Sequence, residues 1–129
     1  MEKKDFFVKN GEVKDIEVEG LVFKLKTVTA DDELQWYDEY KEQKTEKDEE
    51  GKDKIVMRAN FAKLAKCKLR NIVEVPFSRE ELKEISGIDK EFKDYDNADK
   101  DKLFGQLNPK IMNQLISLID ASKSNQKKN

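Results

Sequence analysis

At 129 residues, with a formal net charge of −2, one cysteine and no histidine, the chain has room for one domain and one modest core. Charged residues make up 42% against a hydrophobic share of 36%, so that core must be thin and its coat heavily solvated. The lack of histidine removes the commonest general base and metal ligand, the lone Cys67 excludes an intramolecular disulfide, and no apolar run approaches the ~20 residues that a bilayer span needs.

The charge is unevenly spread. Residues 31–54 hold eleven acids and five bases, a net of −6, whereas 55–75 hold one acid and five bases, a net of +4. Residues 76–107 carry −3 and 108–129 carry +3. General nucleic-acid binding needs a large basic surplus on one face, which this balance does not supply. The start Met-Glu-Lys-Lys-Asp has no apolar stretch of the secretory kind, so the expected location is the cytoplasm of the cell that makes the protein.

The expected fold class is α+β: a small N-terminal antiparallel β-meander over 5–28, packed with about four to five α-helices over 29–121, in a single domain 1–121 with a flexible tail at 122–129. The meander starts with a strand at Asp5–Lys9, turns at Asn10-Gly11, and continues through 12–18 with Ile16 and Val18 alternating against charges. Glu19-Gly20 makes the second turn, and Leu21, Phe23 and Leu25 then share one face of the next strand. Thr29 is the expected N-cap of the first helix, with Asp32 at N3 and acids loading the first turn. Leu34, Tyr37 and Tyr40 form its stripe, widened by Trp36, and these rings are expected to pack on the sheet.

Residues 41–54 contain no apolar side chain, which leaves a solvated helix extension or a disordered loop, with the loop around Gly51 favoured. A second helix is expected over 55–70, because Ile55, Ala59, Ala62, Ala65 and Leu69 follow a helical spacing. Pro76 holds 72–75 extended, and Ser78 with Glu81 forms a capping box for a short helix that Gly87 stops. Asp96 or Asn97 caps the next helix, and Asn108-Pro109 starts the last and most apolar one, with Ile111, Leu115, Leu118 and Ile119.

Little in this inventory suits catalysis. Lys66 and Lys68 flank Cys67 and could lower its pKa, but no histidine is there to act with it, and an ordinary half-buried thiol is the simpler reading. The acidic run from Asp94 to Asp101 fails as a calcium loop, since the sixth and twelfth positions hold Asp99 and Gly105 where the pattern requires Gly and Glu. The five glycines are scattered, so no phosphate loop exists. The chain reads as no enzyme, with no cofactor and no metal. The best local signal is a basic helix face of Lys63, Lys66 and Arg70, with Arg58 and Lys68 beside it. It offers a site for an acidic partner or RNA, but an internal match to the flanking acidic segments is favoured.

Two segments carry a family resemblance. Gly20-Leu-Val-Phe23-Lys-Leu25-Lys26-Thr-Val-Thr29-Ala30-Asp31-Asp32 leads from a strand pair into a helix, and Leu103-Phe-Gly-Gln-Leu107-Asn-Pro109-Lys-Ile111-Met-Asn-Gln-Leu115 opens the last helix. Together 13–40 and 103–121 resemble the tail assembly chaperones of tailed phages and related proviruses, while the apolar-free stretch 41–54 departs from them. The resemblance implies a non-catalytic protein that coats the tape measure protein in the host cytoplasm while the tail is built. The partner is then helical and would lie on the stripe Ile55, Ala59, Ala62, Ala65, Leu69 or on the last helix at Ile111, Leu115 and Leu118. Self-association stays open. The alternatives are a structural virion component, such as a tail completion or head–tail connector protein, and a small nucleic-acid-associated regulator using Lys63, Lys66 and Arg70.

Overall fold

A computed structural model describes residues 2–9 and 11–124. It is an α+β fold with β1 (Val13–Val18), β2 (Leu21–Lys26), α1 (Ala30–Tyr40), β3 (Lys41–Lys47), β4 (Asp53–Ala59), α2 (Phe61–Leu69), β5 (Ile72–Glu74), α3 (Arg79–Ser86), α4 (Asn97–Phe104) and α5 (Pro109–Ser124). Two antiparallel sheets are present, one ordered β1-β2-β5 and the other a two-stranded ribbon of β3 and β4.

The β1–β2 hairpin turns on two residues, Glu19 at φ 51° and Gly20 at φ 80°. Both central positions are left-handed, the geometry that matches the twist of the flanking strands. Alternation then sends Ile16, Val18, Phe23 and Leu25 inward. The third strand is not the N-terminal one. Lys3–Phe6 forms a short 3-10 turn, and Phe6 and Phe7 stay exposed. The run Phe6-Phe7-Val8 has no alternation to define an inner face, and the place beside β2 goes to β5, whose Ile72 is wholly buried. Of the expected Asn10-Gly11 turn, Asn10 lies outside the described residues; the Glu12 N–H donates to the Lys9 carbonyl at 3.1 Å.

The caps follow the sequence closely. The Asp32 N–H donates to Thr29 Oγ1 at 3.2 Å and the Thr29 N–H donates back to the Asp32 carboxylate at 2.9 Å. Ser78 and Glu81 reciprocate likewise, and Gly87 at φ 79° ends α3. Asp96 rather than Asn97 caps α4, and the Asn108 side chain accepts from the Lys110 N–H at the start of α5. That helix runs through Ser124, three residues into the expected tail, and 125–129 lie outside the described residues.

Two expectations fail together. Only 48–52, around Gly51, form a loop; the rest of 41–54 is strand, and 55–59 are not the first turn of a helix. Lys41–Lys47 and Asp53–Ala59 pair over seven residues as the ribbon β3–β4. The turn holds it closed: the Gly51 N–H donates to the Asp48 carbonyl, Gly51 takes φ 80°, and the Asp48 carboxylate accepts from the N–H groups of Glu50 and Lys52. This is a three-residue hairpin loop with glycine in the left-handed position. Helix α2 starts only at Phe61 because Asn60 caps it, accepting from the Lys63 N–H at 3.1 Å. The ribbon therefore grows out of the connection between α1 and α2, which lie against each other.

The main core joins the inner sheet face to α2, α3, α4 and α5. Leu25, Ile72, Leu82, Leu115 and Ile119 are its most enclosed side chains. A smaller cluster of Val28, Trp36 and Cys67 seals α1 to α2. Lys100 bolts α4 to the α2–β5 junction, donating to the carbonyls of Arg70 and Ile72 at 2.9 Å each. Burial, helped by the nearby Lys26, lowers its pKa.

Candidate interaction surface

The expected partner stripe does not exist as one surface. Ile55 and Ala59 sit on β4, and Ala62, Ala65 and Leu69 sit on α2. Leu69 and Leu115 are core residues at 3% and 0% exposure, so neither is available to a partner. Ala62, Ala65 and Leu69 line an apolar cavity of about 190 Å3 closed on the far side by Phe104, Gly105 and Met112. Ile111 and Leu118 are half-buried, and Leu118 borders an open groove beside Glu17 and Lys110.

The basic face is largely spent inside the molecule. Arg70 grips the Asp101 carboxylate with two nitrogens, at 3.0 and 2.7 Å, and reaches Glu39 at 3.1 Å. Asp101 and Glu39 together raise the Arg70 pKa against a desolvation cost. Lys63 lies 3.4 Å from Glu42, whose carboxyl is held below its ordinary value by the Asn60 amide and by Lys63. Lys68 meets Asp120 at 2.9 Å, and Arg58, on β4, grips Glu46 at 2.7 Å. Lys66 alone of the expected trio has no ion pair among the described residues, and it stands exposed at the rim of the apolar cavity.

Cys67 is buried beside Trp36, and that burial raises its thiol pKa, with the Glu39 carboxylate adding to the effect. A polar recess of about 140 Å3 is lined by Cys67 and by the paired Glu39 and Arg70. Among the described residues no three His, Cys, Asp or Glu side chains converge on a metal-binding geometry, and no helix is long and apolar enough to cross a membrane.

A different surface stands out. Helix α1 buries Trp36 of the expected stripe but turns Leu34 and Tyr37 outward. Asp32 is drawn inward with Trp36 by Lys26 at 3.0 Å; burial pushes its carboxyl up, but the Thr29 N–H and the Lys26 ammonium outweigh this and hold it below its ordinary value. Leu34 is 68% exposed, Tyr37 54%, Ile55 66%, Met57 54% and Phe61 72%. The five are carried by α1, β4 and the first residue of α2.

Ile55, Met57 and Ala59 alternate onto one ribbon face, opposite Thr45, Gln43 and Lys41. Lys41 shares that face, and its ammonium lies 4.5 Å over the Tyr37 ring, which joins the face to the outer side of α1. Tyr40 bridges onward, with its ring centroid 5.7 Å from Tyr37 and 6.4 Å from Phe61. The other ribbon face carries Lys54, Arg58, Glu42 and Glu46 and is tied by the Arg58–Glu46 pair. Ile55 and Met57 thus share one face with Lys41, Gln43, Thr45 and the Lys47–Asp53 pair, and the other face is ionic apart from Val56.

Met57 escapes a helical reading of 55–70, in which Phe61 only adds apolar surface beside the stripe, and Leu34 and Tyr37 are assigned to the core. The available signal was the two-residue period of Ile55, Met57 and Ala59, together with the Asp48–Gly51 turn. Comparison with family models, curated proteins and solved structures finds no match to this chain.

Proposed function

We propose that the chain is a non-catalytic protein-binding assembly factor, of the kind implied by its resemblance to phage tail assembly chaperones, and that it works in the host cytoplasm. The observation that supports this reading is the apolar strip Leu34–Tyr37–Met57–Ile55, with Phe61 at its shoulder. Soluble monomers rarely leave contiguous apolar area of this kind open, and where they do it marks an interaction site. Aromatic and methionine side chains are also the types enriched in such interfaces. The strip stands on a ribbon that adds little to the core, so it can change partners without loosening the fold.

The test is co-expression with the tape measure protein of the same genome. The wild-type chain should raise the soluble yield of that protein and copurify with it, and a double Ile55→Asp, Met57→Asp variant of unchanged fold should do neither. A stoichiometric presence in purified virions would instead favour the second reading, a tail completion or head–tail connector protein. The nucleic-acid reading is the weaker one, because Lys63 and Arg70 already face carboxylates.

A further inference from the structure

We infer that the occupant of the Leu34–Tyr37–Met57–Ile55 strip is a basic amphipathic helix, with an apolar stripe flanked by Lys and Arg. This rests on the protein-binding reading above and adds the chemistry of the partner.

The first argument is charge. Helical geometry, about 100° per residue, puts Leu34 and Tyr37 on one outward stripe of α1, with Asp31 and Asp38 along one side and Glu33 along the other. All three acids are exposed, and none has an ion-pair partner among the described residues. The remaining α1 acids are used internally, Asp32 by Lys26 and Glu39 by Arg70. The ribbon tip adds Glu49 and Glu50, also without ion pairs among the described residues, and Asp48, whose carboxylate accepts from the Glu50 and Lys52 N–H groups. Of the nearby bases, Arg58 pairs with Glu46, Lys63 with Glu42 and Lys47 with Asp53, while Lys41 lies over the Tyr37 ring; against Lys41, Lys52 and Lys54 the unpaired acids leave the rim net negative. The strip is therefore an apolar track flanked along α1 by Asp31 and Asp38 on one side and by Glu33 on the other, and its complement is an apolar stripe flanked by cations.

The second argument removes the competing occupants. An added β-strand would need an open ribbon edge, but β3 carries Lys41, Lys44 and Lys47 and β4 carries Lys54 and Arg58, the charges that guard edges against strand addition. A second copy of this chain packing strip on strip would bring the acidic rim against itself. A helix lying along α1 and across the ribbon uses the whole track, meets the rim with opposite charge, and offers the i, i+3, i+4, i+7 anchors that a strip of spaced side chains can take.

The probe is a pair of designed peptides of about 18 residues with the same Leu stripe, one flanked by Lys and one by Glu, plus a scrambled Lys/Leu peptide that keeps the charge and loses the stripe. Binding to the full-length protein is read by fluorescence anisotropy at two salt concentrations. The Lys-flanked helix should bind at least about tenfold tighter than the Glu-flanked one, as three exposed charge pairs would give, and should weaken as salt rises. It should also beat the scrambled peptide. Ile55→Ser with Met57→Ser should remove binding, and Asp31→Asn with Glu33→Gln and Asp38→Asn should reduce it and flatten the salt dependence. Equal affinity for the two helices, or equal affinity for the scrambled peptide, overturns the inference. So does a homodimer in sedimentation that the Ile55→Ser, Met57→Ser variant abolishes. If the co-expressed tape measure protein is captured through Ile55 and Met57 while the Lys-flanked helix does not bind, the partner chemistry is wrong and the protein-binding reading stands.

Discussion

The sheet β1-β2-β5 and the ribbon β3–β4 are both antiparallel, yet they are built by different physics. In the first, Leu25 and Ile72 are fully enclosed and alternation against α5 decides which face is inside. In the second, only Val56 among the β4 side chains is even half-buried, and the strands are held by the Asp48–Gly51 turn and by the Arg58–Glu46 pair across one face. The contrast separates what folds the protein from what the protein offers. Residues that build the core cannot also bind, and the residues left to bind do not build the core.

The sharpest way to test that separation is to damage each side in turn. Leu115→Ala, at the centre of the core, should cost about 2–5 kcal/mol in urea unfolding. Arg70→Met should cost about 1–3 kcal/mol, because it strands the half-buried Asp101 carboxylate without its partner. Ser78→Ala should cost about 1 kcal/mol through the lost cap of α3. At the other end of the scale, Ile55→Ser with Met57→Ser should change global stability by no more than about 0.5 kcal/mol, since both side chains are already in water. A loss comparable to that of Leu115→Ala would mean that the ribbon is part of the core after all.

Acid offers a further check on the core side. The folded-state pKa of Asp32 is depressed, so its ion pair and cap stabilise the protein above the unfolded value of 3.8, and that contribution is lost as pH falls through the lower folded value. Asp32→Asn should therefore be less stable than wild type at neutral pH, and the difference should shrink in unfolding curves taken below that value.

The division also explains which parts of the molecule could be read in the sequence. The caps at Thr29, Ser78 and Asn108 were legible because a cap is a local bargain between a side chain and nearby N–H groups. The strands around Ile16 and Phe23 were legible because burial imposes a period. The ribbon was not, because β3 buries nothing and so shows no apolar period, and because Ile55, Ala59 and Ala62 also satisfy a helical spacing until Asn60 caps the chain anew. The third strand was misplaced for a related reason: Phe6 and Phe7 look like strand residues, but the competition for the edge of β2 is decided by Ile72, more than sixty residues away. The site followed the ribbon. A helical 55–59 puts Ile55 beside Leu69 on one stripe, and on α1 the apolar spacing groups the exposed Leu34 and Tyr37 with the buried Trp36.

Hydrogen–deuterium exchange on the complex formed by co-expression with the tape measure protein tests the central claim most directly, with the free chain as reference. Binding at the strip predicts new protection over 30–40 and 53–61 and none across β1, β2 and β5. New protection confined to α4 and α5, with the ribbon unchanged, would contradict it.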